Sequence, residues 1–162
     1  MSTVESCTRG SDVGETAEGS ASDAPLRRDE SSLRILLAED PNNAAAFFQL
    51  REILVHRVCE GFPGGDRELL GDDVSWALAE ELASSPRAWY PLVELGRLSI
   101  RQDHEKALLR FRTAIDRDPD GIALVASLEM LIAADHAKDA LALGIGHWRP
   151  DRHGLEPGYV LI

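Results

Sequence analysis

The sequence is poor in aromatic residues and has no long apolar run. Aromatic side chains make up 6% of its 162 residues, which favours helices packed through leucine and alanine. No apolar run approaches the roughly 18 residues of a membrane-spanning helix. The N-terminus also lacks the apolar stretch of a secretory signal. We therefore expect a soluble, cytoplasmic protein without a membrane segment.

Motifs that would indicate a specific chemistry are missing as well. The sequence has two cysteines, without the spacing of a disulfide framework. It has no nucleophile elbow, zinc-protease motif or dinucleotide fingerprint, and the glycine-rich stretch 60–72 lacks the Gly-Lys-Ser/Thr of a phosphate loop. His56 and Cys59 have ligand-like spacing, but His147 and His153 would have to supply the remaining ligands. We therefore predict no catalytic residue, no metal site and no cofactor.

The charge of the chain excludes two classes of partner. The sequence has 28 acidic and 17 basic residues, for a net charge of −11. Such a chain repels the phosphates of nucleic acid and the surface of an anionic membrane. We therefore expect it to bind neither.

A repeated pattern runs through most of the chain. It can be aligned on Pro41, Pro86 and Pro119, which lie 45 and 33 residues apart. The residues six, nine and twelve positions after each proline are apolar and fall on one face of a helix. Proline disfavours the helical conformation in the residue before it, so each proline separates two helices. The pattern predicts an all-α array of about seven antiparallel helices.

Composition divides the chain into three segments. Residues 1–31 are rich in Ser, Gly and acids, and we expect a disordered tail. Residues 32–148 form the helical domain, with residues 60–72 as an insertion loop that accounts for the longer proline spacing. Residues 149–162 are expected to be irregular.

The unit between Pro86 and Pro119 resembles the tetratricopeptide repeat (TPR). The residues that carry the resemblance are Leu92, Leu95, Gly96, Ala107, Phe111, Ala114 and Pro119. In the first unit Arg51 stands where Gly96 stands in the second. The resemblance implies a TPR-like α-solenoid, in which small residues such as Gly96 and Ala107 let two helices approach closely. It also implies a non-catalytic adaptor that binds a protein or peptide in a concave groove.

The family's groove positions can be carried onto this sequence. They include Phe48, Glu52, Tyr90, Val93, Arg97, Arg101 and Met130. Arg97 and Arg101 lie one helical turn apart, and such a pair can hold a carboxylate of an acidic peptide. The alternative is that both arginines are solvated and paired with Glu94 or Glu105.

Two other functions remain open from the sequence. One is a small enzyme or regulatory subunit whose site lies between the loop 60–72 and the His-bearing C-terminal tail. The other is a structural subunit whose apolar end, residues 158–162, joins a homo-oligomer. Trp148 and residues 159–162 are alternatively expected to fold back and cover the last repeat.

Overall fold

The computed structural model describes residues 23–162, with side chains from residue 29 onward. Within these residues the chain forms helices and no β-strand, which confirms the predicted all-α class. The helices are α1 Asp23–Glu39, α2 Ala44–Gly61, α3 Arg67–Ala83, α4 Tyr90–Ser99, α5 His104–Arg117, α6 Ile122–Ala133, α7 Ala137–His147, α8 Pro150–His153 and α9 Glu156–Val160. The described part therefore has two short helices more than the seven predicted.

The chain divides into two units, Met1–Leu78 and Ala79–Ile162. We call them the N-terminal unit and the C-terminal unit. None of the described helices is both long enough and apolar enough to cross a bilayer.

In the N-terminal unit, α1 packs against α2 and begins at Asp23, inside the tail predicted for residues 1–31. Residues 1–22 of that tail lie outside the described residues. Glu30 contributes to this early start, because it forms ion pairs with Arg34 in α1 and with Arg57 in α2, at 3.2 and 2.6 Å. The Arg57 guanidinium, and after it Arg34, hold the pKa of Glu30 below its usual range.

The predicted insertion loop 60–72 is mostly helical. The chain leaves α2 at Gly61 and enters α3 at Arg67. Asp66 starts α3 because its Oδ1 accepts hydrogen bonds from the backbone N–H groups of Glu68 and Leu69, at 2.9 and 3.4 Å. The loop therefore shrinks to residues 62–66.

Gly71, which the sequence analysis assigned to that loop, lies within α3 and makes room for an arginine. A Cβ atom at Gly71 would collide with the Arg51 guanidinium. The Arg51 Nε donates to the Ser75 hydroxyl at 2.7 Å, and that hydroxyl donates to the Gly71 carbonyl at 2.7 Å. Gly71 therefore serves a contact between α2 and α3 rather than a turn.

The C-terminal unit is built from helices that pack on their neighbours in the sequence. Helix α4 packs on α5, α5 on α6 and α6 on α7, and α4 also contacts α6. Helix α5 begins at His104, because Asp103 caps it by accepting from the Lys106 N–H at 3.1 Å. The buried core residues of this unit are Leu92, Val93, Ile100, Ala107, Phe111, Ala114, Ile115, Ala123, Leu124, Leu128, Leu131, Ala140 and Leu143.

Gly96 sets the distance between α4 and α5. A Cβ atom at this position would lie 2.8 and 2.9 Å from the Phe111 ring atoms Cδ1 and Cζ. Such distances are closer than carbon atoms tolerate, so the Phe111 ring occupies the space that any larger residue would need. Phe111 is fully buried, and Ala107, one turn earlier in α5, is buried too. The close approach expected at Gly96 and Ala107 is therefore present.

Arg117, at the end of α5, organises the connection between α3 and α4. Its Nη1 donates to the carbonyl oxygens of Ala83, Ser85 and Ala88, at 3.0, 3.0 and 3.2 Å. These bonds hold the non-helical residues 84–89 between the end of α3 and the start of α4. Helix α4 begins after them, at Tyr90.

The C-terminal segment 149–162 is ordered into α8 and α9, contrary to the predicted irregular tail. The Trp148 Nε1 donates to the Gly154 carbonyl at 2.9 Å, which closes a compact turn around α8. Helix α9 packs on α6, and Trp148, Val160 and Leu161 pack against the core of the unit. The alternative expectation, that this end folds back as a cover, therefore describes the segment better.

Replacing Gly96 by alanine should destabilise the C-terminal unit. The added methyl group collides with the buried Phe111 ring, and we expect the free energy of unfolding to fall by about 1–3 kcal/mol. The measurement is urea unfolding followed by circular dichroism. Gly146→Ala is the matched control, because a Cβ at Gly146 in α7 meets no atom within 4 Å; that variant should be neutral or gain up to roughly 1 kcal/mol. Equal stability of wild type and Gly96→Ala would contradict the contact.

Replacing Arg117 by methionine should also destabilise the protein. Three backbone carbonyls lose a charged donor, and we expect a loss of about 1–3 kcal/mol. Arg112→Met is the control on the same helix, since Arg112 is exposed and its replacement should change stability by no more than about 0.5 kcal/mol. Thermal unfolding of the two variants side by side tests this, and equal losses would refute the role of Arg117.

Candidate functional sites

Three residues of α4 form a charged cluster around a buried carboxylate. Glu94 is buried, and its Oε2 accepts from the Arg97 Nε at 3.0 Å. The Tyr90 hydroxyl donates to the Glu94 Oε1 at 3.4 Å. Burial, and after it the Glu94 charge, raise the pKa of the Tyr90 hydroxyl well above its usual range. Tyr90 therefore stays protonated and available as a donor to Glu94.

This cluster bears on the two interpretations of Arg97. The sequence offered Arg97 and Arg101 as a pair that holds a partner's carboxylate, or as helix-face residues paired within the chain. The Arg97 guanidinium lies on the chain's own carboxylate, Glu94. Arg101, after the end of α4, is exposed. Arg97 thus neutralises a buried charge, which is a structural role.

The other predicted groove residues of the C-terminal unit contribute little surface. Val93 is 1% exposed and belongs to the core, so its predicted role as a partner contact does not fit its position. Helix α4 buries Leu92 and Leu95 as well as Val93, so its buried face is wide enough to include the position predicted to contact a partner. Met130 is half-buried and packs against the same core.

In the N-terminal unit the predicted residues Phe48 and Glu52 do lie together. They line a cleft of about 580 Å³ between α1 and α2. The other residues of its lining are Asp29, Ser32, Leu33, Gln49 and Ile53. Phe48 is half exposed there, and Glu52 is held by Arg51 and by Arg67, the latter at 3.1 Å. The lining therefore combines charged, polar and apolar side chains, and the Phe48 ring is its exposed aromatic group.

A more apolar surface lies at the end of the chain, and we call it the C-terminal apolar surface. Its residues line a groove of about 410 Å³ and are Leu141, Ile145, Trp148, Leu155, Gly158, Tyr159, Leu161 and Ile162. Four of the eight are more than half exposed: Ile145, at 73%, and Leu155, Tyr159 and Ile162. Isolated exposed apolar residues are ordinary, whereas a contiguous group of this kind marks a contact surface.

Two glycines allow this surface to form. A Cβ atom at Gly144 would lie 2.6 Å from the Leu161 Cδ1, and one at Gly158 would lie 2.6 Å from the Trp148 Cη2. Gly144 therefore lets Leu161 approach α7, and Gly158 lets α9 lie against the indole. With its inner side anchored in this way, the segment presents Tyr159 outward.

A second cluster combines two histidines and an aspartate of the C-terminal unit. The His104 Nε2 lies 3.0 Å from the Asp139 Oδ2, and the His136 Nδ1 lies 3.7 Å from the same oxygen. The two imidazole rings stack with centroids 4.1 Å apart and an interplanar angle of 22°. The His104 Nδ1 is buried and has no hydrogen-bond partner among the described residues. We call these three residues the His–Asp cluster.

The repeat explains how this cluster arises. His104 begins α5 and His136 precedes α7 as its N-cap residue, so the two occupy comparable positions. Each follows an aspartate in the sequence, Asp103 and Asp135, with a spacing of 32 residues. Equivalent positions of consecutive repeats lie side by side. The recurring Asp-His pair indicates from the sequence that His104 and His136 occupy comparable helix starts. Their shared contact with Asp139 depends on how α5 and α7 are placed, which the sequence pattern does not give.

The three histidines considered as metal ligands from the sequence lie elsewhere. His56 lies on exposed surface 3.7 Å from the Glu60 carboxylate. The His147 Nδ1 lies 3.1 Å from the Leu143 carbonyl within α7. The His153 Nδ1 accepts from the Arg149 N–H at 3.3 Å, and the same side chain lies against Gly121, where an added Cβ atom would meet the His153 Cβ at 2.8 Å.

Comparisons with protein-family models, with curated proteins and with solved structures give no match. The resemblance to the tetratricopeptide repeat rests on the residues of the chain alone.

The Glu94 cluster predicts opposite outcomes for the two neighbouring arginines. Arg97→Glu places a second carboxylate beside the buried Glu94, and we expect a loss of about 1–3 kcal/mol in the free energy of unfolding. Arg101→Glu changes an exposed residue and should alter stability by no more than about 0.5 kcal/mol. Urea titration of both variants measures the difference. If Arg97→Glu were as stable as wild type, Arg97 would have no structural role, and the peptide-binding interpretation would regain support.

Proposed function

We propose that this chain is a non-catalytic protein-interaction module. In this proposal the C-terminal apolar surface binds the apolar face of an amphipathic helix from a partner protein. The observation that carries the proposal is the contiguous group of exposed apolar side chains around Ile145 and Tyr159.

The chemistry of the groove favours a protein ligand. Within the described part of the chain its lining contains aliphatic, aromatic and glycine residues and no charged side chain. Such a lining offers a polar small molecule little to bind, whereas it matches the apolar stripe of an amphipathic helix. Aromatic anchors such as Trp148 and Tyr159 are the residues that contribute most energy at protein interfaces.

The groove is also anchored to a rigid base. Trp148 is fixed by its bond to the Gly154 carbonyl and by packing on the core. Leu161 packs against the same core. A surface whose inner residues are already ordered loses little conformational entropy on binding.

The net charge indicates what the rest of the partner helix carries. The chain has a net charge of −11, so its long-range field attracts basic segments and repels acidic ones. We therefore propose a helix with an apolar face and a basic polar face.

The resemblance to the tetratricopeptide repeat supports the same class of function. Helix α4 packs on α5 and α6 packs on α7, and Gly96 makes a close contact with Phe111; both observations are compatible with TPR-like helical hairpins. We propose a TPR-like arrangement for the C-terminal unit. The surface proposed here differs from the family's concave groove, in which Val93 and Arg97 would be contacts.

The alternative of a small enzyme or regulatory subunit gains no specific support. The His147 Nδ1 lies beside the Leu143 carbonyl within α7, and the His153 Nδ1 accepts from the Arg149 N–H. We therefore propose no catalytic role for them.

Selection of helical peptides tests the proposal. A displayed library of amphipathic helices is selected against the full chain, and dissociation constants are measured by fluorescence anisotropy. We expect the selected peptides to have an apolar stripe and a basic face, and Ile145→Glu to weaken binding at least tenfold. Leu109→Glu is the matched control, because Leu109 is similarly exposed but lies on α5, outside the groove lining; it should bind like wild type.

Two results would contradict the proposal. Peptides whose affinity is the same for wild type and Ile145→Glu would bind elsewhere, and the C-terminal apolar surface would not be the contact surface. Concentration-dependent dimerisation in sedimentation velocity, lost in Ile145→Glu, would identify a second copy of the chain as the occupant of the groove and would replace the helix partner.

A further inference from the structure

We propose that the His–Asp cluster is a binding site for a divalent transition-metal ion of the zinc class. Its three side chains, His104, His136 and Asp139, each offer one ligand atom, and these atoms all lie within 4.8 Å of one another. Two imidazoles and one carboxylate form a donor set that suits Zn²⁺ and its neighbours in the first transition row. The site is independent of the proposed protein-binding surface.

The distances between ligand atoms fit a tetrahedral ion. With bonds of about 2.0–2.1 Å, two ligands of a tetrahedral zinc ion lie roughly 3.3 Å apart. The measured distances from the Asp139 Oδ2 are 3.0 Å to the His104 Nε2 and 3.7 Å to the His136 Nδ1. One value lies on each side of the required distance, and the two nitrogens lie within 4.8 Å of each other, so binding an ion requires the side chains to rotate toward it.

The surroundings leave the ion accessible. The side chains of His104, His136 and Asp139 are 30, 36 and 40% exposed. Three protein ligands with an open side allow water or another donor to complete the coordination. The buried Nδ1 of His104 has no hydrogen-bond partner among the described residues. The ring can therefore turn toward an ion without breaking a second bond.

The two helix ends hold the ligands in place. His104 and Asp139 lie in the first turns of α5 and α7, and His136 precedes α7. The His136 side chain makes no capping hydrogen bond to the helix. Its replacement should therefore remove a ligand without unfolding α7. Asp139→Asn removes the charge at nearly constant shape and provides a second, milder variant.

The chain contains a matched control for the cluster. His56 and Glu60 also combine an imidazole with a carboxylate, with the His56 Nδ1 3.7 Å from the Glu60 oxygen. No second histidine or cysteine among the described residues joins them in a three-ligand group. If the metal bound to any exposed histidine, His56→Ala would weaken its binding as much as His136→Ala does.

The experiment is calorimetric titration of the full, untagged chain with ZnCl₂. A second titration with Co²⁺ is followed by absorption spectroscopy. We expect one equivalent of Zn²⁺ to bind and to raise the melting temperature by at least about 4 °C in excess metal, reversibly with a chelator. His136→Ala and Asp139→Asn should each weaken binding at least tenfold, and His56→Ala should leave it unchanged. Circular dichroism in chelator checks that each variant is folded.

Several results would overturn the proposal. The first is that wild-type protein shows no saturable binding of Zn²⁺. The second is that the His136→Ala and Asp139→Asn variants are folded and bind Zn²⁺ as tightly as wild type. A thiolate-to-Co²⁺ charge-transfer band would locate the metal at cysteine and would likewise exclude the His–Asp cluster.

Discussion

The C-terminal unit depends on the close contact between Gly96 and the Phe111 ring. Because no Cβ atom separates them, α4 and α5 can approach closely enough to bury Ala107 and Phe111 completely. Helix α6 packs on this pair, and the core continues from there through Leu128 and Leu143. The end of α5 then carries Arg117, which fixes the preceding connection. A larger residue at position 96 would disturb each of these layers in turn.

The sequence predicted those parts of the fold that local chemistry determines. The beginning of α5 follows from the Asp103 cap, and the turn after it follows from Pro119. Contacts between distant residues were not predictable in the same way. Gly71 belongs to a glycine-rich stretch that resembles a loop, whereas in the structure it lies in α3 beside Arg51. Glycine permits both a turn and a close approach, and only tertiary structure distinguishes them.

The candidate sites illustrate the same limit. The resemblance to the tetratricopeptide repeat placed Val93 and Arg97 in an exposed groove, whereas in the structure Val93 lies in the core and Arg97 pairs with Glu94. The C-terminal apolar surface was visible as an apolar end, while its shape depends on α9 folding back against Trp148. The His–Asp cluster joins side chains 35 residues apart in sequence, from His104 to Asp139. Residues this far apart in the sequence come together through the packing of successive helices, and spacing rules for single motifs do not detect such a cluster.

The central claim is that the C-terminal segment is an ordered part of the unit and supports a binding surface. Hydrogen–deuterium exchange of the full chain, resolved by mass spectrometry, tests it most directly. Backbone N–H groups of Trp148, Tyr159 and Leu161 donate to the carbonyls of Gly144, Leu155 and Gly158. The account predicts that peptides covering residues 148–161 exchange at least about tenfold more slowly than an unstructured chain. Complete exchange of this segment at the unstructured rate would mean that the surface does not exist in solution.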